Sequence, residues 1–103
     1  MPNSFSIGEF SRATHLTVKT LRHYHEAGLL LPAHVDPHTG YRRYVAEQIS
    51  LAQIIRRFRG LDMPVSEIHA VLATSDPTAR NGLIAAHLRR LEAELSRTQS
   101  AVA

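Results

Sequence analysis

The run from Thr17 to Val45, TVKTLRHYHEAGLLLPAHVDPHTGYRRYV, constrains this chain most, because it suits a short capped helix followed at once by a tight hairpin. Thr17 is a good N-cap for the free amides of a helix start, and Gly28 supplies the positive φ on which helices commonly stop. Val18 to about Ala27 is therefore a helix with Val18, Leu21 and Tyr24 or His25 on its inner stripe. Lys19, Thr20, Arg22 and His23 are left partly or wholly outward. Pro32 closes that element, and Asp36-Pro37-His38-Thr39-Gly40 concentrates turn formers, with Gly40 suited to a positive φ. Ala33 to Val35 and Tyr41 to Val45 are the hairpin's arms, and the second carries Arg42 and Arg43 side by side.

Ahead of this run lies a second short helix, Ile7 to Thr14, with Ser6 as N-cap and Glu9 as its capping-box partner. Ile7, Phe10 and Ala13 fall on its inner face, and His15-Leu16 breaks it. Two short helices across a tight break form a helix-turn-helix pattern, which is weak evidence taken alone. An arginine-bearing hairpin directly after it gives the layout of a winged helix, in which the hairpin lies along a nucleic-acid backbone and the second helix enters a groove.

Charge follows the same division. Residues 1–60 hold eight basic and four acidic side chains, whereas residues 61–103 hold four basic and five acidic. Almost all the basic charge is arginine, with Lys19 the only lysine. Arginine forks match phosphates and guanine edges better than ammonium groups do. A phosphate contact is expected of at least one of Arg42 and Arg43; since neighbours on a regular strand alternate sides, the other is free to bridge to the preceding helix or to an acid such as Glu47. One of Tyr41 and Tyr44 packs against the helical body. Ala46 to Gly60 reads as a third helix through Ile49, Ala52, Ile55 or Leu51, and Phe58, and ends in Arg56, Arg57 and Arg59. Part of that cationic end answers the helix dipole.

Pro64 opens a fourth helix with Val65, Ile68, Val71 and Leu72 on its apolar face. After a break capped by Ser75 or Asp76, a last helix runs from about Thr78. Ile84, Leu88, Leu91, Leu95, Thr98 and Val102 recur along it at alternating four- and three-residue steps. That narrow stripe among charged residues suits the seam of a coiled coil, and hence a homodimer bound to a two-fold related target, the alternative being a stripe that packs on the domain's own core. The expected division is residues 1–74 as the winged helix-turn-helix domain and 75–103 as the dimerisation helix.

Several function classes fall away. The sequence has no cysteine, so disulfides and thiolate metal sites are excluded. His23, His25, His34 and His38 lack the spacing and carboxylate company of a closed metal shell, so no metal and no cofactor is expected. His69 and His87 are expected at the surface or at an edge of the fold, with no chemistry implied. No nucleophile and base with a supporting group, glycine-rich phosphate loop or carboxylate pair suggests an enzyme. With no signal segment and no membrane-length apolar run, a cytoplasmic location and no membrane partner are expected. A protein-interaction module on the same fold is the alternative, and the basic helix and wing weigh against it.

The LRHYHEAGLL run at Leu21 to Leu30 and the TGYRRY run at Thr39 to Tyr44, correctly spaced, resemble the DNA-binding half of the MerR family of bacterial transcription regulators. The resemblance covers Phe5 to about Leu72. It implies a mainly α fold, a winged helix-turn-helix with a C-terminal antiparallel coiled-coil dimerisation helix. It makes Val18 to Glu26 the recognition helix, with Thr17, Lys19, Thr20, Arg22 and His23 at bases or phosphates and Tyr24 at a phosphate. Tyr41, Arg42 and Arg43 would serve the wing, Arg12 would lie over the backbone, and Arg56 and Arg59 would approach the flanking backbone. The implied partners are promoter DNA, a second copy and RNA polymerase, with the duplex distorted to control the polymerase. A small-molecule effector enters only if the full-length protein has a C-terminal domain, which this chain lacks; it is expected to be a fragment of a longer regulator.

Four positions depart from the family pattern. His23 replaces a tyrosine and His34 a wing arginine. His15 stands where the turn usually has glycine, so a positive φ there would strain it. Pro64 replaces a serine cap.

Overall fold

The computed structural model describes residues 4–102, with side chains through position 99. In chain order the elements are β1 (Ser4–Ser6), α1 (Ile7–Thr14), α2 (Val18–Glu26), β2 (His34–Val35), β3 (Arg42–Val45), α3 (Glu47–Gly60), α4 (Val65–Ala73) and α5 (Pro77–Val102). They fall into two compact units, Met1–Gly60 and Leu61–Ala103. The first ends ahead of α4, so α4 and α5 share the second. No helix among the described residues is long and apolar enough to cross a membrane.

In the first unit, the caps of α1 and α2 form as their sequences dictate. Ser6 Oγ accepts from the Glu9 amide at 3.1 Å, and Glu9 Oε1 accepts from the Ser6 amide at 2.8 Å, which completes the capping box. Thr17 Oγ1 accepts from the Thr20 amide at 3.0 Å. Gly28, at φ 72°, ends α2 while the Leu29 amide reaches back to the Tyr24 carbonyl at 2.9 Å. His15 caps α1 at φ 62° and ψ 21°, its amide donating to the Ser11 carbonyl. The left-handed turn that favours glycine is therefore made by a histidine.

Ala13, expected inside, is exposed, and Thr14 is fully buried instead. Its hydroxyl donates to the Phe10 carbonyl at 2.8 Å and accepts from the Leu16 amide at 3.3 Å. Both partners are backbone groups at the break, so the buried polar atom is satisfied locally.

The hairpin is part of a three-stranded antiparallel sheet in the order β1-β3-β2. Sequence alone had Phe5 leading into α1, but Ser4, Phe5 and Ser6 pair with Val45, Tyr44 and Arg43. A strand of three residues is too short for an alternation signal, and Ser6 serves both as its end and as the helix cap. On the other side, His34 and Val35 pair with Arg43 and Arg42. At the tip the Asp36 carboxylate accepts from the His38 and Thr39 amides at 2.8 and 3.0 Å. Those bonds hold its pKa below the ordinary carboxylate value. Gly40 takes φ 74° as the turn requires.

The alternation of β3 settles the two tyrosines. Tyr44 is fully buried, stacked on Phe10 with ring centroids 4.3 Å apart, whereas Tyr41 is 74% exposed. Phe10, Leu21, Tyr24, Leu29, Leu30, Ala52 and Ile55 complete this core. Gln48 ties the start of α3 to the sheet, accepting from the Val45 amide and donating to the Leu31 carbonyl.

In the second unit Pro64 is the N-cap of α4, one position ahead of the first-turn place expected for it. Ile68 and Val71 are buried, but Leu72, assigned to the same face, is exposed. Asp76 caps α5 through the Ala79 amide at 2.9 Å. His87, expected at the surface or an edge, is buried at 6% exposure. Its Nε2 donates to the Leu61 carbonyl at 2.6 Å, and its Nδ1 lies 3.5 Å from Glu67, whose carboxylate receives both bonds of Arg90 Nη2 at 2.6 and 2.7 Å.

Leu83 and Arg90 line the groove against α4, with His87 between them in helical register. The Ile84, Leu88, Leu91, Leu95 and Thr98 stripe lies roughly 100° further round the α5 axis, at 100° per residue. Leu88 and Leu95 are 39% and 56% exposed, Thr98 is exposed, and Ile84 and Leu91 are half-buried. The side chain of Val102 lies outside the described ones.

Candidate nucleic-acid interface

The first unit has a concave cleft of about 560 Å³ between the start of α1, the body of α2 and the second arm of the hairpin. Arg22, Arg42 and Arg43 line it with Tyr41, Thr39, Gly40 and the Ser6-Ile7-Gly8 turn. Three arginines thus line one concavity, and no acidic residue is among those that line it. The nearby acid is Glu9, and its carboxylate is engaged in the capping box. Its pKa is held below the ordinary value first by the hydrogen bonds from Ser6 and then by the Arg43 and Arg12 charges.

The two wing arginines are held differently. Arg43 donates through Nε and Nη2 to Ser4 Oγ at 3.2 and 2.8 Å, and through Nη2 to the Ser4 carbonyl at 3.3 Å. Arg42 donates through Nε to His25 Nδ1 on α2 at 2.8 Å. Arg22 makes no hydrogen bond or ion pair among the described residues, not even with Glu26 four residues along the same helix. These side chains are available to an anion, and the fork geometry of each suits a phosphate.

At the start of α2 the Thr17 hydroxyl donates to Thr20 Oγ1 at 2.8 Å while accepting the Thr20 amide. The proton of Thr20 is thereby free for an outside acceptor. Thr17, Lys19 and His23 are exposed, and Thr20 is half-buried. None of these four lines the cleft. Arg12 is exposed at the last turn of α1, and a Cβ on Gly8 would lie 4.0 Å from its Nη1, which places Arg12 beside the cleft wall. Arg56 and Arg59 are exposed on α3 and do not join the cleft.

Tyr24 fits its assigned role least well. At 4% exposure its ring belongs to the core, so a phosphate would have to come to its phenolic rim. Two contributors went unnoticed in the sequence, His25 as the acceptor for Arg42 and Ser4 as the anchor of Arg43. Helical spacing offered His25 as an alternative inward position; nothing local marks Ser4. Among the described residues no group of three or more His, Cys, Asp or Glu side chains is placed to hold a metal ion.

A helix-turn-helix followed by a hairpin has counterparts among known proteins. Residues 5–75 match the family described as MerR HTH family regulatory protein. The transcriptional regulator BrlR of Pseudomonas aeruginosa is 35% identical over 101 residues, which cover 95% of this chain and 37% of BrlR. A crystal structure of a MerR-family transcriptional regulator from Bacillus cereus is similar with a TM-score of 0.76 at 28% identity, over 96% of this chain and 75% of that one. The EcmrR–DNA complex in EcmrR-RPo, determined by cryo-EM, is similar with a TM-score of 0.67 at 30% identity, over 95% of this chain and 38% of that one. The chain spans a little over a third of the length of BrlR. With the family match covering most of its residues, the chain belongs to the MerR family of helix-turn-helix regulatory proteins.

Proposed function

We propose that this chain binds double-stranded DNA in a sequence-specific manner as a homodimer and regulates transcription from a promoter. The observation that carries this is the meeting of Arg22, Arg42 and Arg43 in one cleft between the recognition helix and the wing. A sugar-phosphate backbone is the polyanion whose curvature follows such a cleft while α2 lies in the adjoining major groove. Lys19, Thr20 and His23 then face base edges or phosphates, Thr17 opens the helix, and Tyr41 stands at the wing tip. Similarity to EcmrR, solved in complex with DNA, supports the assignment. The exposed Leu88 and Leu95 on α5 support pairing with a second copy, which would set two such surfaces on a pseudo-palindrome.

Control of RNA polymerase by distorting the promoter is the mechanism this reading carries, since a dimer with fixed half-site spacing can bend or untwist the duplex between its wings. Control by a small-molecule effector belongs to it only where a further domain follows in the full-length protein. Selection of bound duplexes from a random library at fixed salt tests the reading. Enrichment of an inverted repeat is the expected result. A folded protein that enriches no sequence would overturn it and favour a protein-interaction role.

A further inference from the structure

The geometry points to His25 as a positioning residue for DNA binding, one that fixes the Arg42 guanidinium in the cleft by accepting its Nε–H at Nδ1. This inference rests on the DNA reading above. The bond is 2.8 Å long, part-buried, and joins α2 to β3 across 17 residues of sequence. An imidazole nitrogen that accepts must hold a lone pair, so His25 is the neutral ring with its proton on Nε2. Arg42 makes no other hydrogen bond or ion pair among the described residues, which leaves both terminal NH2 groups for an anion. Because the guanidinium is planar, fixing the Nε–H direction also fixes the fork that those groups present.

A neutral acceptor does here what a carboxylate cannot. Glutamate or aspartate would hold Arg42 equally well but cancel its charge beside Arg22 and Arg43 in a cleft lined by no acid. His25 orders the side chain and leaves the local charge intact. It also ties the wing to the recognition helix, so the phosphate contact and the groove contact are made at a fixed separation. Ordering one long side chain before binding is worth roughly fivefold in affinity, within the usual cost of immobilising such a group at an interface.

The test is a double-mutant cycle on operator affinity with the full chain, using the sequence enriched in the library selection. His25→Leu removes the acceptor and is expected to weaken binding about fivefold. His25→Asn, which offers a neutral oxygen near the Nδ1 position, is expected to recover most of that loss. In an Arg42→Ala background, His25→Leu should change little, because the group it positions is gone. Equal losses from His25→Leu in both backgrounds, with the parent still binding DNA, would overturn the positioning role alone and leave a structural one. A parent that binds no duplex would overturn the DNA reading and this role together. A nitrogen-15 spectrum of the imidazole supplies the independent readout: an unprotonated Nδ1 is expected, and a proton found there would overturn the proposal.

Discussion

The rings of Phe10 and Tyr44 stack 4.3 Å apart and within 7° of parallel, which joins α1 to the central strand of the sheet at the middle of the first unit's core. The stack is fully buried, yet the Tyr44 hydroxyl finds no hydrogen-bond partner among the described residues. Burial raises its pKa above the ordinary phenol value. A hydroxyl taken from water without a partner costs about 1–3 kcal/mol.

Tyr44→Phe keeps the ring and removes the unsatisfied atom, so it is expected to stabilise the chain by about 1 kcal/mol. In a domain of this size that is a rise of about 4–8 °C in Tm, read by circular dichroism. An unchanged or lower Tm would mean that the hydroxyl is satisfied in solution. Phe10→Ala, which removes the other ring, should cost about 3–5 kcal/mol.

His15 makes the left-handed turn between α1 and α2 at φ 62°, a conformation that costs an L-residue roughly 1–2 kcal/mol. Glycine adopts it freely but loses about 0.5–1 kcal/mol of chain entropy on folding. His15→Gly is therefore expected to stabilise by about 0.5–1 kcal/mol, and His15→Val to destabilise. Chemical denaturation of the three proteins checks the order, and a histidine more stable than glycine would contradict it.

These two sites mark where sequence is legible and where it is not. Caps and turns are written locally: Ser6 with Glu9, Thr17, Gly28 and Gly40 each form the structure their side chains or lack of one require. Phe5 pairs with Tyr44 across the first unit's helix-turn-helix and most of its hairpin, so no local pattern announces β1. His87 is not marked by the seam periodicity of α5, because the helix uses a second stripe against α4. Arg22, Arg42 and Arg43 were legible as basic residues on a helix and a strand. Their meeting, and the partners that hold Arg42 and Arg43, depend on how the wing folds onto α2.

The capping box makes stability depend on pH at the acid end. Glu9 titrates below its unfolded value because its carboxylate accepts from Ser6. Its contribution is therefore full above the unfolded pKa and is lost as pH falls through the folded one. Glu9→Gln should lower stability near neutrality, and its deficit against the parent should shrink as pH drops toward about 3. Urea midpoints at several pH values measure this; a deficit that grows on acidification would contradict the assignment.

Arg22 and Arg43 differ in preparation though both line the cleft. Arg43 is tied to Ser4, whereas Arg22 is held by no polar group among the described residues. Replacing either by alanine should weaken DNA binding and lower the slope of log affinity against log salt by about 0.9, the value for one phosphate contact. Arg43→Ala should act chiefly through that contact. Arg22→Ala on the recognition helix should in addition alter the ranking of operator variants. Slopes equal to the parent's would remove both from the phosphate contacts.

The stripe on α5 is the place where dimerisation can be separated from folding. Leu95 is 56% exposed, so an aspartate there is tolerated by the isolated chain, whose buried residues all lie elsewhere. In a two-stranded seam the same carboxylate would face apolar side chains of the second helix without a partner, at a cost of several kcal/mol. Leu95→Asp is therefore expected to halve the mass found by sedimentation while leaving the thermal transition of the first unit near the parent's. Operator affinity should fall with it, since each copy would then hold only its own half-site. A variant that stays dimeric would move the interface off this stripe, and a parent that is monomeric at the same concentration would remove the dimer from the proposed function.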